Sequence, residues 1–402
     1  MSEPDEPTAI GDRTIAAPAA HAPAPLFTSR EQRIVLWVTV GAVCWRWLTA
    51  VRSPLPSVDA CRDLWLARRL AAVDPHALAD ALAEPLWALL LAAARLLPVD
   101  AFEAAQVLAC LFGGLVVWPV AVAAERLRQG AGLPAAILAL AAAGPVVSAG
   151  TGSAAALLAL AMACCALCLQ AGHWKLAALC FAVVLGGVAD GVLHGATLAA
   201  PWHPAAEMRL GWGIAGVLAL LSVLPPRPRR IAALWAVAAV MLAMSLAFAA
   251  GTRTLAAASA VVAVLAGVGL ARLSVRLRDV LLCGAVLLEF YTAWQAVEPR
   301  SAVAERALGH HLARRLDAEQ HVVGDLPRVL YFAGEAPVAI HGTDALVQQA
   351  SRADVACVVL GPDASRQATL TATLAGRFVR LDLPHDLADM LAEQHVVVFG
   401  RR

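Results

Sequence analysis

The residues most able to do chemistry lie in the stretch Ser57-Val58-Asp59-Ala60-Cys61-Arg62-Asp63-Leu64-Trp65-Leu66-Ala67-Arg68-Arg69-Leu70. Read as a helix, it sets Asp59 and Asp63 four residues apart on one face. Two close carboxylates at a low-dielectric surface raise one another's pKa, which prepares one of them as a general base. Trp65, Leu66 and Leu70 would rest in a membrane interface. The alternative is an ordinary solvated face with local Arg–Asp pairs.

A second group lies inside apolar runs. Asp190 and His194 are one helical turn apart, and Glu289 and Arg46 sit in other runs. Ionisable groups inside a bilayer are expensive, so each is a functional candidate. The competing expectations are a buried Asp–His pair that fixes helix packing and a Glu289–Arg46 ion pair. His310, His311, His321 and His341 show no metal-ligand spacing and are expected at the surface. Cys164, Cys165 and Cys168 lack the second ligand cluster of a closed zinc site and read as packing residues; the residues imply no certain cofactor and leave a divalent metal open. The glycines form no phosphate-cradling loop.

These residues need elements to hold them, and composition says which kind. The chain has 402 residues, 60% hydrophobic and 15% charged, with a mean hydropathy of +0.70. Soluble domains carry about 25% charged residues, so lipid is the expected solvent. A net charge of +1 excludes a nucleic-acid footprint.

Residues 1–33, rich in Pro and Ala with four acidic residues before position 13, read as a disordered tail. Nine candidate spans follow, at 34–51, 104–124, 133–149, 153–170, 176–198, 210–224, 231–250, 255–271 and 279–297. The apolar stretch 84–98 is too short to cross and reads as re-entrant or interfacial. Arg126, Arg128, Lys175, Arg227, Arg229, Arg230, Arg272, Arg276 and Arg278 then fall on one side, against Arg209 and Arg253 on the other. That bias puts the N-terminus in the cytoplasm. The first external loop, 52–83, runs against it with Arg52, Arg62, Arg68 and Arg69.

The bundle therefore spans 34–298. Residues 299–402 change character, with strands expected at 321–323, 329–332, 338–340, 355–360, 378–381 and 396–399. Helices are expected at 302–316, 344–351, 364–375 and 386–393. The expected fold is an α-helical polytopic membrane protein with a small extracytoplasmic α/β domain.

The order of several short motifs resembles the GT-C membrane glycosyltransferases, the superfamily of protein O-mannosyltransferases and lipid A aminoarabinose transferases. The motifs are Arg62-Asp63 followed by Trp65 and Ala67, then Pro85-Leu86-Trp87, Trp118-Pro119, and Gly144-Pro145 through Gly150. The likeness covers residues 34 to 400 and departs from the family pattern at Ser153-Ala154 and His194-Gly195. It implies a divergent bacterial member in the inner membrane, with a polyprenyl-phosphate-linked sugar as donor and a glycan, lipid or protein as acceptor. Asp63 would be the catalytic base, with Asp59 second. Arg62, Arg68 and Arg69 would receive the donor phosphate, supported by Asp190 and His194. The competing classes are a transporter using Asp190, His194 and Glu289, and a non-catalytic glycan- or partner-binding membrane protein.

Overall fold

The computed structural model describes residues 26–52, 56–74, 85–95, 99–142, 146, 152–195, 218–220, 222, 231–232, 234–239, 251–295, 301–317, 319–337, 343–365 and 368–401. The expected spans at 210–224 and 231–250 fall largely outside them, as does the expected strand at 338–340.

The chain opens with helix α1 (Ser29–Arg52), α2 (Val58–Ala71) and α3 (Pro85–Ala94). A helix of ten residues is about 15 Å long, half a hydrocarbon core. The next pair, α4 (Ala101–Leu115) and α5 (Val117–Leu127), is nearly continuous. The break at Val116 has a local cause: Pro119 lacks an N–H, and its ring crowds the carbonyl four residues back. The Asp100 carboxylate caps α4, accepting from the Phe102 N–H at 2.8 Å and the Glu103 N–H at 3.3 Å. Then come α6 (Gly132–Ala141), α7 (Ala155–Ala171), α8 (Trp174–Gly195), α9 (Gly251–Leu270) and α10 (Val275–Gln295).

Small residues let these helices approach closely. A Cβ on Gly267 of α9 would lie 2.5 Å from the Cβ of Ala135 on α6. α9 packs on α7, α6 and α5, while α1 packs on α4 and α6. Among the described residues two helices are long and apolar enough to cross a bilayer, Ser29–Arg52 and Ala101–Leu127. The segments Gly132–Ala141, Ala155–Ala171, Trp174–Gly186 and Ala256–Leu270 are apolar but shorter. The expected Arg46–Glu289 pair is not made. Buried Arg46 instead donates to the carbonyls of Ala42 at 3.1 Å and Ala139 at 3.0 Å, tying α1 to α6.

The C-terminal unit begins with α11 (Ser301–Arg315) and β1 (His321–Gly324), followed by α12 (Pro327–Ala333) and α13 (Thr343–Ala350). Then follow β2 (Val355–Leu360), α14 (Pro362–Ser365), α15 (Ala368–Ala375), β3 (Phe378–Arg380), α16 (His385–Ala392) and β4 (Val397–Arg401). The strands form one mixed sheet in the order β1-β2-β4-β3, with β1 parallel to β2 and the other pairs antiparallel. Alternation along β2 serves two apolar layers. Cys357 and Val359 pack with α11, α12 and α16, whereas Val358 and Leu360 pack with α13 and α15.

The strand expected at 329–332 is helix α12. Pro327 at its first turn presets a helical φ, and Gly334 closes it in a left-handed conformation, φ +89°. Val329 and Leu330 then join Leu308 and Leu312 in the core, so packing overrides the β-branched preference.

Candidate active site

Helix α2 stands between the bundle and the C-terminal unit. The Ser57 hydroxyl accepts from the Ala60 N–H at 3.1 Å and starts it. Arg68 and Arg69 in its last turn complement the helix dipole. One side packs on α3 and another on α12. Leu64 and Ala67 share a cluster with Trp87 and Leu91 of α3, and Tyr331 of α12 packs against that cluster.

A cavity of about 1050 Å³ opens at this junction. Its walls are Trp47, Ala50 and Val51 at the end of α1, Leu64, Trp65 and Arg68 of α2, and the start of α4 with Asp100, Phe102 and Glu103. Arg95 follows α3, and the C-terminal unit adds Arg306, His310, Tyr331 and Phe332. Three guanidinium groups, two carboxylates and five aromatic rings thus line one space. It is as large as the upper end of small-molecule sites, roughly 1,000 Å³.

Electrostatics in the cavity follow from these neighbours. Burial, with Cys61 and the Asp100 carboxylate nearby, pushes the Tyr331 hydroxyl up to about 12, while Arg95 and Arg68 pull against that shift. The phenol is therefore a neutral donor throughout the physiological range. His310 is held below the usual imidazole value by burial, Arg306 and Arg314. Its ring lies 5.1 Å from that of Phe332, and the Arg306 guanidinium sits 5.7 Å over the same ring.

The residues expected to act together are not all in this space. Arg68 lines it. Arg69 instead binds Asp74 at 2.6 Å and covers the Trp65 ring at 4.7 Å. Asp63 is buried, 5% exposed, on a different face of α2 from the lining residues. Arg62 is half-buried and also outside the lining. Asp59 lies in the first turn of α2, with its side chain outside the described residues. The side chains of Asp190 and His194, near the end of α8, are likewise outside them. α8 packs on α7 and α9, and α10, which carries buried Glu289, packs on α6. Among the described residues no cluster of three His, Cys, Asp or Glu could hold a metal.

Sequence reasoning missed Arg95, Arg306, Asp100, Glu103 and Tyr331. A signal existed for Arg95 and Arg306, since both are basic residues close to segment ends, as Arg68 is.

Comparison with solved structures shows which fold this architecture has. The chain has the fold of a GT-C glycosyltransferase. The similar structures are of ArnT from Cupriavidus metallidurans, an aminoarabinose transferase. Its apo form aligns with TM-score 0.58 at 15% identity, covering 92% of this chain and 98% of that one. A second structure of that ArnT, bound to undecaprenyl phosphate, aligns with the same values. No protein-family model matches the chain, and no curated protein sequence does.

Proposed function

We propose that the protein is a membrane glycosyltransferase that takes a sugar from a polyprenyl-phosphate donor and passes it to an acceptor outside the cytoplasm. The observation that carries this reading is the arginine-rich, aromatic-walled cavity between α2 and the C-terminal unit. Support comes from the shared fold with ArnT, of which one structure holds undecaprenyl phosphate. In this reading the chain crosses the inner membrane nine times, with its N-terminus in the cytoplasm. Residues 299–402 form the extracytoplasmic domain.

The chemistry asks for a base and for cations at the leaving group. An acceptor hydroxyl attacks the anomeric carbon and loses its proton to a carboxylate, while the bond from that carbon to the phosphate oxygen breaks. The polyprenyl phosphate departs with the electron pair, its charge held by Arg68, Arg95 and Arg306 on the cavity wall. The base is Asp63 of the first loop, with Asp59 second and Arg62 beside them. Because Asp63 is buried and does not line the cavity, the carboxylate of Glu103 on the cavity wall is the third candidate.

Transfer from a synthetic polyprenyl-phosphate sugar, assayed on envelope lipids and glycans, tests this. Removing the base lowers the rate by about 10²–10⁴-fold. Asp63→Asn should show that loss while inserting normally, and Glu103→Gln should show less. The reverse order assigns the proton to the cavity wall. Wild-type protein that neither binds undecaprenyl phosphate nor transfers any sugar would sink the reading.

A further inference from the structure

One arginine joins the C-terminal unit to the start of α2. Arg328, the second residue of α12, has a side chain only 12% exposed. Its Nε–H donates to the carbonyl oxygen of Pro56 at 3.0 Å. Pro56 is buried and immediately precedes Ser57, the residue whose hydroxyl caps α2. An Nη1 of the same guanidinium lies 3.6 Å from Oε2 of Glu305 on α11, itself 16% exposed. Arg328 thus connects three segments, namely α11, α12 and the entry to α2.

The consequence follows from where these helices lead. α12 carries Arg328 at its first turn and Tyr331 and Phe332 in the cavity wall one turn later. α2 carries the Pro56 contact at its entry, Asp59 and Asp63 in its first half, and Trp65 and Arg68 on the cavity. A planar guanidinium fixed between a carbonyl and a carboxylate has little freedom to slide. It therefore sets the register of α12 on α2, and with it the spacing between the two walls.

We propose that Arg328 is a positioning residue: through Pro56 it holds the first turn of α2 against the C-terminal unit and so keeps the arginine-lined cavity in its binding form. The hold on α2 stands on the geometry alone, and its effect on ligand binding rests on the function proposed above.

The test uses the full-length protein in lipid nanodiscs, with hydrogen exchange and undecaprenyl phosphate binding as separate measurements. Arg328→Met keeps the apolar stem and removes the donors. Exchange at residues 58–62 should rise roughly ten- to hundredfold, the size of one charge-assisted hydrogen bond, with β1, β2 and β4 unchanged. Affinity for undecaprenyl phosphate should fall in parallel. Arg328→Lys, whose ammonium can reach the same carbonyl, should recover most of both. Unchanged exchange in α2 would overturn the proposal. So would exchange raised equally across the C-terminal sheet, or a lysine variant no better than methionine, because both mark a merely structural or space-filling role. If the wild type neither binds undecaprenyl phosphate nor transfers sugar, the transferase reading fails, and the exchange result alone decides the role of Arg328.

Discussion

Arg68 and Arg69 are adjacent in sequence and differ in what surrounds them. Arg68 is exposed on the cavity, whereas Arg69 is already bound to Asp74 and stacked on Trp65. Arg68→Ala should therefore weaken undecaprenyl phosphate binding about tenfold or more, the cost of one hydrogen bond to a charged group. Arg69→Ala should leave affinity nearly unchanged. Binding of the radiolabelled lipid to protein in nanodiscs separates the two. Tyr331 offers a pH measurement. Burial raises its pKa from the usual 10 to about 12, so the neutral phenol favours the folded state below pH 10. That contribution is lost as the pH climbs through about 10 to 12. The chain has two tyrosines, so a Tyr291→Phe protein leaves Tyr331 as the sole phenolate signal. Its ultraviolet titration midpoint should lie near 12 when folded and near 10 in denaturant.

The close approach of α1 to α4 depends on glycine. A Cβ on Gly114 would collide with the side chain of Val43, and one on Gly113 would lie 2.7 Å from Nε of Arg46. Gly114→Val should destabilise the bundle by about 1–3 kcal/mol through overpacking. Val43→Ala should restore part of that loss, because it removes the Cγ2 that the new Cβ meets and leaves only the Val43 backbone N and Cα at 3.2 and 3.3 Å. Thermal melting of both variants and the double mutant checks this, and failure of the rescue would place the damage elsewhere. A similar argument applies at the entry to α2. Ser57→Ala removes the side-chain acceptor for the Ala60 N–H and should cost about 1 kcal/mol. Exchange at the first amides of α2 reports it locally.

For the whole molecule, the arrangement of charge in the loops makes a topological prediction. Reporter fusions after Arg230 and after Arg402 should report opposite sides of the membrane. The same side for both would remove one crossing from the nine-span arrangement. Limited proteolysis of sealed right-side-out vesicles should release a fragment beginning near Pro299. Protection of that fragment would place it in the cytoplasm.

Hydropathy and periodicity are local properties, and what depends on them alone was legible. The apolar runs correspond to the helices α1, α4 with α5, α7, α8, α9 and α10, and the strand expected at 355–360 is β2. The order of short motifs pointed to the GT-C fold that the solved ArnT structures share. The run Val329–Phe332 was misread because four apolar residues fit either period, and only Leu308 and Leu312 across the core decide for helix. Burial was equally hidden. Asp63 and Arg68 are five residues apart on one helix, yet the first is buried outside the cavity lining and the second lines the cavity. Arg95 shares the cavity with Arg68 because α3 packs on α2, and Arg306 joins them only because α12 docks on α2 and brings α11 with it. No local rule contains that docking, since it depends on contacts between segments remote in the chain, and those contacts choose which charges share the cavity.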